Sequence, residues 1–228
     1  MIVLKEKPFA EILQMIHGHR NVLVVGCNGC AGIYQVGGEK QAEVMGMLLE
    51  LASKLKNVDI ATKAVTTLRQ CDRQIVATTL RPLVDDYDSI LSLACGVGVQ
   101  TLAEVFETKT IIPATNTHFL GMQDSESGKF YEFCRACGDC ILFETGGICP
   151  ITRCAKGLLN GPCGGCVEGK CEVPVEVRDE AGNILQTLDR DCAWYLIYDR
   201  LKRAGRSDLF RKYRPPKNRA ISGTPRQL

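Results

Sequence analysis

The chain has no apolar run of eighteen residues, so nothing in it reads as a membrane-spanning helix. It has no basic, apolar, small-residue leader, which gives the expectation of a cytoplasmic protein. The net charge of +2 comes without a long basic block, so nucleic acid is not an expected partner. No G-x-x-x-x-G-K-[ST] phosphate loop is present, and the glycines of Gly26-Cys27-Asn28-Gly29-Cys30-Ala31-Gly32 lack G-x-G-x-x-G spacing. The chain is therefore not expected to bind its own nucleotide. The Cys-x-x-x-Cys-x-x-Cys spacing used for radical chemistry on S-adenosylmethionine is also absent. Only three histidines occur, His17, His19 and His118, all apart from the ligand-spaced cysteines, and none is assigned a role. No acid-base constellation calls for a catalytic residue.

What the chain has in abundance is cysteine: thirteen in 228 residues, on an ordinary globular background of 45% apolar and 24% charged residues. The size allows one or two domains. An odd count in close pairs, in a chain of this length without a leader, argues for thiolate ligands over a disulfide framework. Eight of the thirteen lie in the glycine-rich stretch CRACGDCILFETGGICPITRCAKGLLNGPCGGCVEGKC, from Cys134 to Cys171. Cys134-x-x-Cys137-x-x-Cys140 lets one loop wrap three corners of an iron-sulfur cube while its N–H groups point at the sulfurs. Cys149-Pro150 has the Cys-Pro chemistry that ends bacterial ferredoxin runs, but eight residues separate it from Cys140 instead of three.

Taken in order, residues 8–16 have helical spacing, and Asn21–Gly26 is a β-branched run suited to a strand buried on both faces. Val44, Met47, Leu48, Leu51 and Leu55 mark a long helix, followed by a strand near residues 58–64. A helix ending about Val84, a strand at residues 89–94 and another at 110–113 complete the alternation. The expectation is a doubly wound, mainly parallel α/β domain over residues 1–120. Cys27, Cys30, Cys71 and Cys95 all follow strand carboxyl ends, which converge on one crevice in such sheets, so they are expected to share one [4Fe-4S] cluster. The alternative is that Cys71 and Cys95 are small buried hydrophobes.

Residues 121–133 read as a linker into a cysteine-rich module at 134–192. In that module Cys134, Cys137 and Cys140, with Cys171 or Cys192, are expected to hold a second [4Fe-4S] cluster. Cys149, Cys154, Cys163 and Cys166 form a third site, either [4Fe-4S] or a structural zinc, and spacing does not choose between them. Residues 173–188 suit a hairpin around the turn Asp179–Asn183. Residues 193–228 are expected to hold a helix with Trp194, Ile197, Tyr198 and Leu201 on one face, then a basic, proline-rich tail that binds a partner or is disordered.

The cysteine run, continued by Cys192-Ala193-Trp194-Tyr195-Leu196-Ile197-Tyr198, resembles the zinc-finger-like C-terminal domain of methylenetetrahydrofolate reductases. It is similar to the small iron-sulfur subunits, MetV, of the acetogen-type reductases of the Wood-Ljungdahl pathway, and the likeness extends more weakly to the N-terminal α/β region. The resemblance implies a hetero-oligomer with a flavin-containing MetF-type subunit on which methylenetetrahydrofolate becomes methyltetrahydrofolate. It implies a non-catalytic chain that relays electrons to that flavin from ferredoxin or a larger redox complex. The competing expectation is a zinc-ribbon interaction protein whose metal sites are purely structural.

Overall fold

The computed structural model describes residues 1–56, 59–179 and 181–219. They form two compact units, Met1–Gly121 and the residues from Met122 onward. No helix among the described residues is long and apolar enough to cross a membrane.

The first unit is built on a four-stranded parallel sheet of β2 (Asn21–Cys27), β3 (Ala61–Thr67), β4 (Ser89–Ser92) and β5 (Thr110–Pro113), in the order β3-β2-β4-β5. β2 is apolar without alternation because both its faces are covered. Val22 and Val24 pack with Ile12 and Ile16 of α1 (Phe9–Ile16) and with Ala42 and Leu49 of α3 (Glu39–Lys56). Leu23 and Val25 point the other way, onto Val76, Leu80 and Val84 of α4 (Arg73–Val84) and Leu102 of α5 (Gly96–Val105). A short α2 (Cys30–Ile33) follows β2, and β1 (Ile2–Glu6) pairs antiparallel with β6 (Thr115–Asp124).

Several expectations change. The strand expected near 58–64 is β3, starting at Ala61, and Val58 lies outside the described residues. The strand expected at 89–94 ends at Ser92. The helix marked by Val44, Met47, Leu48, Leu51 and Leu55 exists as α3, but those five side chains are exposed. The face that α3 buries is Ala42, Leu49, Ala52 and Ser53, made of smaller groups that let the helix lie close to β2 and β3. The linker expected at 121–133 is mostly strand: β6 runs to Asp124, and β7 (Lys129–Cys134) follows. Phe130, Tyr131 and Phe133 favour a pleated strand. Asp124 makes the turn by accepting hydrogen bonds from the Glu126 N–H and the Ser127 hydroxyl.

The second unit has little regular structure. After β7 come α6 (Pro150–Arg153), a two-residue-per-strand hairpin of β8 (Cys166–Val167) and β9 (Lys170–Cys171), and the hairpin β10 (Val175–Arg178) and β11 (Ile184–Leu188). The expected turn Asp179–Asn183 contains Glu180, which lies outside the described residues. α7 (Ala193–Arg203) then supplies Trp194, Ile197 and Leu201, which with Cys192 form the apolar centre of the unit. Trp194 is interior: its indole N–H donates to the Leu158 carbonyl at 3.0 Å, and its ring meets Phe210 edge-on. Tyr195 and Tyr198 are the exposed aromatics of that helix. Residues 213–217, expected to bind a partner or be disordered, fold back on their own unit, and the tail from residue 220 lies outside the described residues.

Candidate metal centres

In the first unit the order of strands reverses between β2 and β4, the place where open α/β sheets take ligands. Cys27 is the last residue of β2, Cys30 the first of α2, and Cys95 caps the N-terminus of α5 immediately beyond β4. Cys71 sits in the loop from β3 to α4. Cys27 is buried, and it clusters with Leu4, Ala31, Ala94 and the partly buried Cys95. Burial pushes the Cys27 thiol up, the N–H groups of Gln70 and Gly29 pull it back by pointing at the sulfur, and negative charge on Cys95 and Cys71 raises it further. Those influences put three of the four sulfurs in one neighbourhood. Cys30 acts on Tyr34 instead, whose hydroxyl is raised first by burial and then by charge on Cys30.

Sequence reading missed Gln70. Its side chain is fully buried, donates to the Val25 and Gly26 carbonyls at 2.9 and 3.1 Å, and accepts from the Ser92 hydroxyl at 2.6 Å. One glutamine thus ties the Cys71 loop to the ends of both β2 and β4. Gly37 is required in the same region, because a Cβ there would stand 1.9 Å from the Leu93 carbonyl oxygen.

In the second unit, Cys134, Cys137, Cys140 and Cys149 line a single cavity of about 210 Å³ with Phe133, Ile141, Leu142 and Ile151. The Ala136 N–H points at the Cys134 sulfur at 3.3 Å, and Ala136 takes a left-handed φ of 49° to aim it. The eight residues between Cys140 and Cys149 return the chain to the cavity by folding on themselves: Glu144 N–H donates to the Ile141 carbonyl, Gly147 N–H to Leu142 and Ile148 N–H to Thr145. The Thr145 hydroxyl donates to Ile141 from a fully buried side chain. Cys171 and Cys192, expected to complete the Cys134 site, are not in that cavity.

They lie with Cys154 and Cys166 in the apolar cluster around Trp194. Cys166 and Cys171 face each other across the β8–β9 hairpin. The Cys166 thiol is raised by burial, then by its hydrogen bond with Cys192 and by charge on Cys192 and Cys171, while the Gly169 N–H opposes. Val173 N–H points at the Cys171 sulfur at 3.5 Å and Gly165 N–H at Cys163 at 3.4 Å. Cys163 is exposed and contacts the Glu172 carboxylate, which also pairs with Lys156. The expected third site of Cys149, Cys154, Cys163 and Cys166 is therefore divided: Cys149 lines the first cavity, Cys154 and Cys166 join Cys171 and Cys192, and Cys163 stands at the edge. Among the described residues no three His, Cys, Asp or Glu side chains are drawn close enough to hold a metal ion. His19 faces Asp88 at 3.4 Å, away from all these cysteines.

Residues 112–220 match the family model described as the methylene-tetrahydrofolate reductase C terminal. The similarity is confined to that region, which contains the nine cysteines from Cys134 to Cys192 and none of the earlier four. No curated protein and no solved structure matches the chain.

Proposed function

We propose that the chain is a cytoplasmic, electron-transferring iron-sulfur subunit, of the MetV type, in a methylenetetrahydrofolate reductase complex. It passes electrons from ferredoxin or a larger redox complex to the flavin of a MetF-type partner. The observation that carries this reading is the cavity lined by Cys134, Cys137, Cys140 and Cys149, inside the region similar to the reductase C terminus. Four cysteine sulfurs, walls that include Phe133, Ile141, Leu142 and Ile151, and an N–H aimed at Cys134 fit a [4Fe-4S] cluster, the one carboxylate of the lining, Asp139, being paired with Lys217. When bound, such a cluster supplies one-electron storage and transfer.

The chain's own residues then have defined parts. Cys134, Cys137 and Cys140 hold three corners from one loop, and Cys149 supplies the fourth. Cys27, Cys71 and Cys95, with Cys30 from the start of α2, hold a second [4Fe-4S] group at the switch point, where the Gln70 and Gly29 N–H groups stabilise negative sulfur. Cys154, Cys166, Cys171 and Cys192 hold a third metal. The hairpin pairing of Cys166 with Cys171, packed on Trp194, favours a structural zinc there over a further cluster. The exposed apolar stripe of α3 supports the part of the reading that gives the chain a partner.

Anaerobic purification with iron, sulfide and zinc analysis tests the proposal. The expected protein is brown, bleaches on reduction, and loses iron in the Cys137→Ser and Cys71→Ser variants. Co-expressed with a MetF-type flavin subunit it should co-purify and support methylenetetrahydrofolate reduction by reduced viologen, with no turnover by the chain alone. A colourless protein carrying only zinc would return the chain to the zinc-ribbon class.

A further inference from the structure

Two charged residues near the end of the described chain reach the two loops that shape the Cys134 cavity. Arg214 is the one buried charged residue among those described, 4% exposed, and all five of its guanidinium N–H groups have acceptors. Nε donates to the Glu144 carboxylate at 3.0 Å, Nη2 to the main-chain carbonyls of Glu144 at 3.0 Å and Leu209 at 3.1 Å, and Nη1 to those of Leu159 at 3.5 Å and Lys212 at 3.3 Å. Asn160 clamps the backbone of the same residue, donating to the Arg214 carbonyl at 2.7 Å and accepting its N–H at 2.8 Å. Glu144 lies within the eight-residue segment between Cys140 and Cys149. Three residues beyond Arg214, the Lys217 ammonium pairs with the Asp139 carboxylate at 2.8 Å and also donates to the Asp139 carbonyl. Asp139 lies between Cys137 and Cys140.

We infer that Arg214 and Lys217 are positioning residues for the Cys134, Cys137, Cys140 and Cys149 site, and that residues 213–217 form a strap holding its two loops at the spacing four thiolates need. The inference rests on the reading of that cavity as a cluster site. In the bacterial ferredoxin run only three residues separate the third cysteine from the fourth, and that fourth cysteine serves the neighbouring cluster in two-cluster ferredoxins. Here the excursion is eight residues long, and a loop of that length has many returns open to it. Arg214 removes that freedom by binding the side chain and the carbonyl of one residue in the excursion at once. Lys217 fixes the shorter arm and places a cation, only 15% exposed, beside the cysteine loop. Partners of this kind, outside the ligands themselves, set how firmly a metal group is held.

The test uses the full chain, purified anaerobically as wild type, Lys217→Ala, Lys217→Arg and Arg214→Lys, with Cys137→Ser marking which signal belongs to this site. The readouts are the rate of iron release to bathophenanthroline disulfonate and the midpoint potential of the signal that Cys137→Ser abolishes. Lys217→Ala is expected to release that iron about tenfold faster or more and to shift the potential, with Lys217→Arg restoring both. Arg214→Lys keeps the charge but loses the fork, and is expected to accelerate release without loss of the Cys27-site signal. Release at the wild-type rate in both Lys217→Ala and Arg214→Lys overturns the inference, as does equal acceleration at the Cys27 site. Wild-type chain with no signal dependent on Cys137 instead overturns the cluster reading beneath it.

Discussion

Arg214 grips Glu144 twice, once at its carboxylate and once at its carbonyl, both at 3.0 Å. Lys212 also pairs with Glu144, but from an exposed position. The two pairs should differ sharply on mutation. Truncating a buried ion-pair partner costs about 3–5 kcal/mol, whereas an exposed pair is worth about 0–1 kcal/mol. Arg214→Leu is therefore expected to lower the unfolding free energy of the second unit far more than Lys212→Leu does. Denaturant unfolding followed by Trp194 fluorescence checks this, and equal effects would remove Arg214 from its central place.

Cys149, and neither Cys171 nor Cys192, is expected to complete the Cys134 site. Cys149→Ser should abolish the same reduced-state EPR signal as Cys137→Ser. Cys171→Ser and Cys192→Ser should leave that signal intact and remove the metal of the third site. The opposite pattern would restore the grouping that sequence spacing alone suggested.

Removing all metal is expected to divide the molecule in two. The first unit keeps an apolar core on each face of its sheet, while the fully or nearly buried apolar centre of the second is Cys192, Ala193, Trp194, Ile197 and Leu201. Chelation under reducing conditions should open residues 134–192 to protease and leave residues 1–121 resistant. Retained protection of both would mean that the second unit folds on packing alone.

A pH dependence is expected at the start of α4, beside Cys71. Asp72 caps this helix through the N–H groups of Gln74 and Ile75. The Ile75 N–H first, then a hydrogen bond from Arg69, hold its carboxyl below the ordinary aspartate value. A depressed carboxylate contributes stability above its unfolded pKa, and that contribution is lost as pH falls through the folded value. In metal-free chain, Asp72→Ala should lower the melting temperature of the first unit at neutral pH, with the gap closing in acid below the ordinary aspartate range. Asp72→Asn, a cap without a charge, should vary less with pH. A gap independent of pH would show that the carboxylate's charge does not matter.

The sequence was most legible where local pattern and burial agree. The unbroken apolar run at Val22–Val25 announced a strand covered on both faces, and its neighbours alternate across the sheet accordingly. In α3 the same kind of reading found the helix, and the residues that marked it lie on its exposed face. Its large apolar groups point outward because the sheet accepts Ala42 and Ala52 more closely, and periodicity carries no information about which stripe is buried. For the sites, residue type was legible and grouping was not. Eight residues separate Cys149 from Cys140 in sequence, and neither the turns that bring it back to the cavity nor the arginine that binds Glu144 within them is marked by composition, that arginine lying in a basic tail that reads as solvated. Gln70 was hidden for a similar reason, since nothing in the residues around it marks a glutamine for full burial.

The place of Arg214 along the chain also bears on how the protein is made. The first unit is complete at Gly121, and Arg214 is synthesised 93 residues later. At roughly 5–20 residues per second that interval is about 5 to 19 seconds. During it the N-terminal sheet has all its strands, while the cysteines from Cys134 to Cys171 emerge without the residue that closes their loop. Assembly of the two halves is thereby staggered in time, with Arg214 reaching Glu144 only after the first unit has been made.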